Sequence, residues 1–325
     1  MDQNKKIVVI GGGTGTFVAL SGLKKYPLHL SAIITMMDSG GSTGRLRDQL
    51  GVLPPGDLRQ ALVALSRSDK LWRDLFLYRF ENGDLRGHNF GNIFISALVK
   101  VTGSLERAVE VATTILDSSG DIIPVTFSKS ELCVELADGR TIEGETHIDE
   151  PIEQGVRSPI RRAFLHPEIE ANPKAIQAIT NADLVVIGPG DLYTSIIPNL
   201  LVKGVAEAID QAKGKVVFVM NLMTKYGQTT DFTASDHLAD LAKYINHSID
   251  TIIINNSKPD QEAITRYEAS HEAVVEDDMK DENIAVVRAD VVDTVHVEMS
   301  ESDSLKRSLI RHDPDKLAQV LVSLL

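Results

Sequence analysis

Residues 7–16 read IVVIGGGTGT, and residues 38–45 read DSGGSTGR. In both, glycine, serine and threonine crowd the end of an apolar run. Small residues let a backbone approach a ligand closely. Successive N–H groups at a strand-to-helix turn, helped by the helix dipole, form an anion site. The chemistry to expect is phosphate binding by the backbone of Gly12, Gly13 and Gly15, with the Thr14 and Thr16 hydroxyls donating to phosphate oxygens. A tight turn without a ligand is the plainer alternative. It needs fewer small residues than the four glycines and two threonines of residues 11–16. The loop matches neither standard pattern. A Walker A loop needs a lysine after its last glycine, but Phe17 follows Thr16. A dinucleotide fingerprint needs G-x-G-x-x-G; Gly11 and Gly13 fit, and Thr16 takes the third place. An NAD(P)-dependent oxidoreductase therefore ranks low.

Asp38 follows the second apolar run, where Rossmann folds carry a ribose-binding acid. Next to it, Gly40, Gly41, Ser42 and Gly44 can wrap a ligand, and Arg45 or Arg47 can neutralise one. Asp57, in PPGD, suits a helix N-cap or first turn. A third cluster, IGPGDLYTSIIPNLL (187–201), brings Gly188, Pro189, Gly190 and Asp191 to a strand end. A fourth, MNLMTKYGQTTDFTASDH (220–237), brings Asn221, Thr224 and Gly227. Ligands of open α/β sheets bind at that carboxyl edge, so the loops argue together more strongly than alone. His88, in RGHNFGN, can serve as a general base or phosphate donor, with a structural role preferred. His237 reads as a helix N-terminal residue. The nine histidines form no H-E-x-x-H and no H-x-E with C-x-x-C, so zinc hydrolase and deaminase readings lack support. Ser195 lies outside a G-x-S-x-G elbow.

The elements that must position these residues alternate. An uninterrupted β-branched run (5–11) predicts a buried parallel strand, 16–25 a helix and 30–37 a second strand. Residues 38–60 read as a long polar, glycine-rich stretch. Residues 58–117 are mostly helical, and 121–148, including IIPVTF and a hairpin at Asp138–Gly139, form a β-rich excursion. From about residue 172 strands and helices alternate to the end. The expected fold is α/β, a Rossmann-like, doubly wound, mostly parallel sheet with a helical insertion and a small β excursion. A single domain, 1–325, is expected, with its core at 1–60 and 160–325 and the insertion at about 61–150.

The 325 residues are 43% hydrophobic and 24% charged, ordinary for a soluble globular chain. The formal net charge of −13 repels nucleic acid and anionic lipid, so attraction for an anionic small ligand must be local. The single cysteine, Cys133, permits no internal disulfide and suits a reducing compartment. No signal peptide or membrane span is expected, and the localisation read from this is cytoplasmic.

The motifs GGGTGT, DSGGSTGRLR, PPGDLRQALVALS, GHNFGN, IGPGDLYTSIIPNLLV, NLMTKYGQTTDFTASDH and RHD stand in that order along essentially the whole chain. This series resembles the YvcK group, the gluconeogenesis factors. They are part of the CofD-like superfamily and relatives of 2-phospho-L-lactate transferase. The resemblance implies a CofD-like fold that binds UDP-N-acetylglucosamine or UDP-glucose. It also implies roles in carbon metabolism and cell shape, with no reaction generally assigned. Carried over by position, Gly12, Gly13, Thr14 and Gly15 lie against the diphosphate, and Asp38, Gly40 and Gly41 form the floor. Gly188, Pro189, Gly190, Asn221, Thr224 and Gly227 form the rim, and Tyr267 and Arg311 hold the sugar-nucleotide end. A regulatory protein partner and a homodimer are expected. The alternative is a CofD-like transferase that moves a phospholactyl-type group from a nucleoside diphosphate donor with Mg²⁺. In that reading Asp38, Asp57 and His88 are the catalytic candidates, and Asp38, Asp57 and Asp191 the metal candidates. The chain departs from the pattern at Ser39 (usually a second Asp), Asp191 (usually Ser) and Thr16 (commonly Leu).

Overall fold

The computed structural model describes residues 5–150, 157–246, 249–280, 284–294 and 309–325. The chain opens with β1 (Lys6–Gly11), α1 (Gly13–Leu23), β2 (His29–Ile34), α2 (Gly41–Leu50) and α3 (Gly56–Leu65). Then come α4 (Lys70–Leu77), α5 (Phe90–Thr102), α6 (Leu105–Ile115) and β3 (Gly120–Pro124). A small β unit follows with β4 (Glu131–Leu136), β5 (Thr141–Glu143), α7 (Glu145–Asp149) and β6 (Ile160–His166). The remainder runs α8 (Pro173–Thr180), β7 (Leu184–Ile187), a π-turn at Leu192–Ile196, α9 (Ile197–Leu200), α10 (Val205–Asp210) and β8 (Lys215–Val219). It ends with α11 (Ala234–Leu241), β9 (Thr251–Asn255), α12 (Gln261–Glu268), β10 (Ala285–Ala289) and α13 (Pro314–Ser323).

Seven parallel strands form one sheet in the order β10-β9-β8-β7-β1-β2-β3. This is the Rossmann-like, doubly wound α/β fold read from the sequence. The central strands are continuous apolar runs because helices cover both faces: Ile7, Val9 and Ile10 of β1 and all of β7 are fully buried. The order in which strands are added reverses between β1 and β7, the switch point at which such sheets bind ligands. The second sheet, β5-β4-β6, is antiparallel and turns at Asp138–Gly139, where Gly139 takes φ +88°. Among the described residues no helix is long and apolar enough to cross a membrane.

Four local readings change. The strand in IIPVTF is β3 and pairs with β2 at the edge of the main sheet, outside the small β unit. Its buried Ile122, Ile123 and Val125 belong to the central core. The glycine-rich stretch after Asp38 holds α2, capped by Gly40 and ended by Gly51 in the left-handed region. Helix α1 begins at Gly13, so the glycine cluster is the helix's own first turn rather than a loop before it. The helix expected around Pro198 is broken into a π-turn, α9 and α10, with Gly204 at φ +97° ahead of the last.

Candidate functional site

The turns at the carboxyl ends of β1, β2, β7 and β8 meet over the switch point and enclose a cleft of about 1120 Å³. Two constraints shape its centre. A Cβ on Gly12 would collide with the Asp57 carboxylate and lie 2.6 Å from Thr35 Cγ2. A Cβ on Gly15 would collide with the Pro189 carbonyl group. Glycine is needed at both because two turns press against one another. Gly13, at φ +62°, starts α1 and donates its N–H to the Asp57 carboxylate. Gly12, Gly13, Thr14 and Gly15 all line the cleft, at the helix N-terminus where an anion is favoured.

One end of the cleft is acidic. Asp38 accepts a hydrogen bond from the Gly40 amide at 2.8 Å, and Gly56 must lack a side chain because its Cβ would sit 2.5 Å from Asp38 Oδ2. Burial raises the Asp38 carboxyl above its ordinary range, against the pull of the Gly40 amide, Thr43 and Arg59. Burial, and then the charge of Asp38, push Asp57 up to about 7. Glu145, delivered by α7, accepts from the Ser39 amide at 3.2 Å. Burial and the charges of Asp38 and Asp149 push it up to about 9. Like charges in a poorly hydrated floor favour protonation of at least one group. Ser39 turns its hydroxyl to Thr146, accepting from that amide at 3.0 Å. The Glu145 carboxyl therefore lies beside the position where the family pattern has a second aspartate.

The middle of the cleft carries a cation. Lys225 Nζ lies 3.4 Å from Asp149 and 3.7 Å from Asp191. Burial opposes its charge, but Asp191, Asp149 and Glu272 outweigh that and hold the ammonium above its ordinary range. Gln228 Nε2 also donates to Asp149 at 3.0 Å, and Asn221 Nδ2 donates to the Gly190 carbonyl at 2.7 Å. The other end is less charged: Leu222, Met223, Tyr267, Ile310, Arg311 and His312 line it. The Tyr267 hydroxyl accepts from the Leu309 amide at 3.0 Å, which ties the ring to the chain before α13.

Of the residues singled out from sequence, Gly12, Gly13, Thr14, Gly15, Asp38, Gly40, Gly41, Ser42, Asp57, Pro189, Gly190, Asp191, Asn221, Thr224, Tyr267 and Arg311 line this one cleft. Five do not. Thr16 is 2% exposed and lies beneath the turn, its Oγ1 only 2.5 Å from where a Gly11 Cβ would be. Arg45 is exposed on the outer side of α2 and donates to the Arg86 carbonyl. His88 is buried, its Nδ1 3.2 Å from Ser42 Oγ, and burial lowers its basicity. Gly188 (φ +79°) and Gly227 (φ +75°) shape their turns from behind the wall. The candidate metal trio also fails to assemble. Asp191 faces Lys225, and among the described residues no three His, Cys, Asp or Glu side chains are placed to hold an ion.

The family described as 2-phospho-L-lactate transferase CofD matches residues 7–292. The chain belongs to the CofD family. Within it the chain is similar to the gluconeogenesis factor of Bacillus subtilis, 40% identical over 100% of this chain and 99% of that one. It is 39% identical to the gluconeogenesis factor of Listeria innocua, over 100% of this chain and 97% of that one. A crystal structure of a UPF0052 family member from Bacillus halodurans superposes with a TM-score of 0.88 at 34% identity, covering 98% of this chain and 99% of that chain. The CofD-family cleft also contains residues that the motifs did not single out. Arg59, Glu145, Thr146, Asp149, Lys225 and His312 line it. Arg59 and Lys225 lie inside quoted motifs and carried a signal as cations next to small-residue turns. Glu145 and Asp149 carried none, because only the packing of α7 brings them to the sheet edge.

Proposed function

We propose that this CofD-family protein binds a uridine diphosphate sugar, UDP-N-acetylglucosamine or UDP-glucose, as a regulatory ligand that it does not turn over. It would act in carbon metabolism during gluconeogenic growth and in cell shape. The observation that carries the reading is the interlock of the Gly12–Gly15 turn with Pro189 at the switch point. It sets the Gly12–Gly15 backbone against the cleft at a helix N-terminus, the setting that suits a diphosphate, with the Gly13 N–H engaged by Asp57. The names of the Bacillus and Listeria relatives support the metabolic role. Thermal unfolding with UDP-N-acetylglucosamine, UDP-glucose, GDP and NAD, each with and without Mg²⁺, tests it. Ligand at ~100 times its dissociation constant adds about 2.7 kcal/mol of stability. A uridine-specific rise in Tm with the ligand recovered intact is the expected result. A shift with none of the four overturns the reading.

One observation favours a second reading, a CofD-like transferase. Asp57 and Glu145, pushed up to about 7 and about 9, sit beside the phosphate turn with protonation poised for acid–base work. A guanosine-specific, Mg²⁺-dependent shift accompanied by loss of the donor would favour it. His88 hydrogen-bonds to Ser42 and does not line the cleft, so this reading rests on the two carboxyls.

A further inference from the structure

Asp191 places a carboxylate beside the turn that is to hold an anion. Its neighbour Gly190 touches that turn: the Gly190 nitrogen lies 2.8 Å from where a Gly15 Cβ would be, and a Gly190 Cβ would lie 3.6 Å from the Gly12 carbonyl oxygen. The Asp191 side chain lines the same cleft as the turn. An anion seated on Gly12–Gly15 therefore meets a second negative charge close by. Two such charges repel unless a cation is shared between them.

Lys225 is the cation already in place. Its Nζ stands 3.7 Å from Asp191 and 3.4 Å from each carboxylate oxygen of Asp149. The two carboxylates come from different walls, Asp191 from the turn after β7 and Asp149 from α7. Asp149 also leads back to the phosphate turn. Thr194 Oγ1 donates to it at 3.4 Å, and the Oγ of the next residue, Ser195, lies 3.6 Å from where a Gly13 Cβ would be. An ammonium has three donors, and its bonds to carboxylates settle at about 2.7–2.9 Å. Among the described residues Lys225 makes none that short, and its side chain, 30% exposed, lines the cleft. Three other cations of the lining are committed: Arg59 to Asn92 at 2.9 Å, Arg79 to the Gly87 carbonyl at 2.8 Å and Arg266 to Glu262 at 2.6 Å. Lys225 keeps donors for an incoming group.

We infer that Lys225 is a specificity-determining residue whose ammonium takes one phosphoryl group of a ligand while the adjoining phosphoryl group lies on the Gly12–Gly15 turn. This rests on the diphosphate part of the reading above and adds to it a rule of choice. A single phosphate occupies either the turn or the ammonium. Two joined phosphates engage both, and the shared ammonium offsets the repulsion from Asp191. The cleft therefore selects a diphosphate over a monophosphate.

Titration calorimetry of the full chain with pyrophosphate, orthophosphate and UDP, in the presence of a chelator, tests this on the natural protein and on Lys225→Met and Lys225→Arg. The natural protein is expected to bind pyrophosphate about tenfold or more tightly than orthophosphate, the return on one further charge-assisted hydrogen bond. Lys225→Met keeps the stem without the charge. It is expected to lose about tenfold for pyrophosphate and for UDP, so that the two inorganic anions bind alike. Lys225→Arg restores charge and donors and is expected to regain part of the preference. If Lys225→Met binds pyrophosphate as tightly as the natural protein, or weakens both inorganic anions by the same factor, the inference is wrong, while UDP binding by the natural protein keeps the nucleotide reading. If pyrophosphate binds through Lys225 and UDP does not bind, the inference stands and the nucleotide reading fails. If neither binds the natural protein, both fail together. If Lys225→Met does not fold, acetylation of the natural protein by acetic anhydride decides. Its rate at Lys225, read by mass spectrometry, is expected to fall several-fold with pyrophosphate, and an unchanged rate overturns the inference.

Discussion

Gly15 in the first turn of α1 and Pro189 in the turn after β7 are held backbone against backbone: a Cβ on Gly15 would run into the Pro189 carbonyl group and approach the Gly190 nitrogen to 2.8 Å. The obstacle is main chain on both sides, so no rotamer change relieves it. Gly15→Ala should therefore cost about 1–3 kcal/mol of stability, as overpacked sites do. Urea denaturation measures this, and an unchanged midpoint would mean that the two turns are looser than the geometry implies.

Asp57 gives a pH signature. Its carboxyl is raised to about 7 in the folded chain from an ordinary value of 3.8, by burial first and the charge of Asp38 second. The folded state thus holds a proton that the unfolded state has released. The resulting penalty is absent below about pH 4, grows as pH rises through the interval, and is complete above about pH 7. Asp57→Asn keeps an oxygen to accept from the Gly13 amide and cannot ionise. Its stability relative to the natural protein should rise steadily between pH 4 and pH 7 and then level off. Denaturation midpoints across that range check the sign; a flat difference would place the Asp57 proton elsewhere.

Asp191 stands where the family pattern has serine, and it faces Lys225 at 3.7 Å. Its negative charge both engages the cleft's ammonium and opposes an incoming phosphate. Asp191→Ser should release Lys225 toward the ligand and tighten UDP-sugar binding by about tenfold, ~1.4 kcal/mol, within the range of a charge pair at intermediate dielectric. Calorimetry at two salt concentrations reads it. Weaker binding in the variant would show that Asp191 contacts the ligand favourably instead.

Ser42 ties the cleft wall to the groups behind it. Its hydroxyl lies 3.2 Å from His88 Nδ1, accepts from the Asn89 amide at 3.2 Å and meets Asn92 Nδ2 at 3.4 Å, all in buried surroundings. Ser42→Ala leaves those groups without their shared partner and should cost about 1–3 kcal/mol. Denaturation of Ser42→Ala and the double variant Ser42→Ala/His88→Phe separates the contributions. Non-additive losses are expected, because both act through one network.

Much of the fold can be read from the chain because its signals are local. The apolar run 7–10, the glycines that end it and the apolar helical stretch that follows make a strand–turn–helix whatever surrounds them. At 184–190 and 215–221 the strand and the turn that ends it are legible in the same way. Where neighbouring signals conflict, reading along the chain goes astray. Glycines at 40, 41 and 44 suggest a loop, yet α2 forms: Gly40 caps it, and Gly44 lies so close to the Ser39 carbonyl that only glycine fits. IIPVTF looks like the start of the β excursion, yet its apolar side chains complete the main sheet beside β2.

For the cleft the division is sharper. The sequence by itself determined which turns are glycine-rich and which strands they follow, and parallel strands carry such turns to one edge. That was enough to place most of the phosphate-facing backbone, because a strand's end and a helix's start are separated by only a few residues. Tertiary structure alone decided which side chains share that space. Thr16 is on the face of α1 that packs under the turn, although Phe17 and Val18 after it line the cleft, while Arg45 points outward from α2. Glu145 and Asp149 come to the site from the small β unit, and Lys225 meets Asp191 from a different strand's turn. The reason is physical: hydrogen-bonded secondary structure is set by neighbours in sequence, whereas burial, charge pairing and the raised carboxyls of the cleft depend on groups brought together from distant segments only when the core packs.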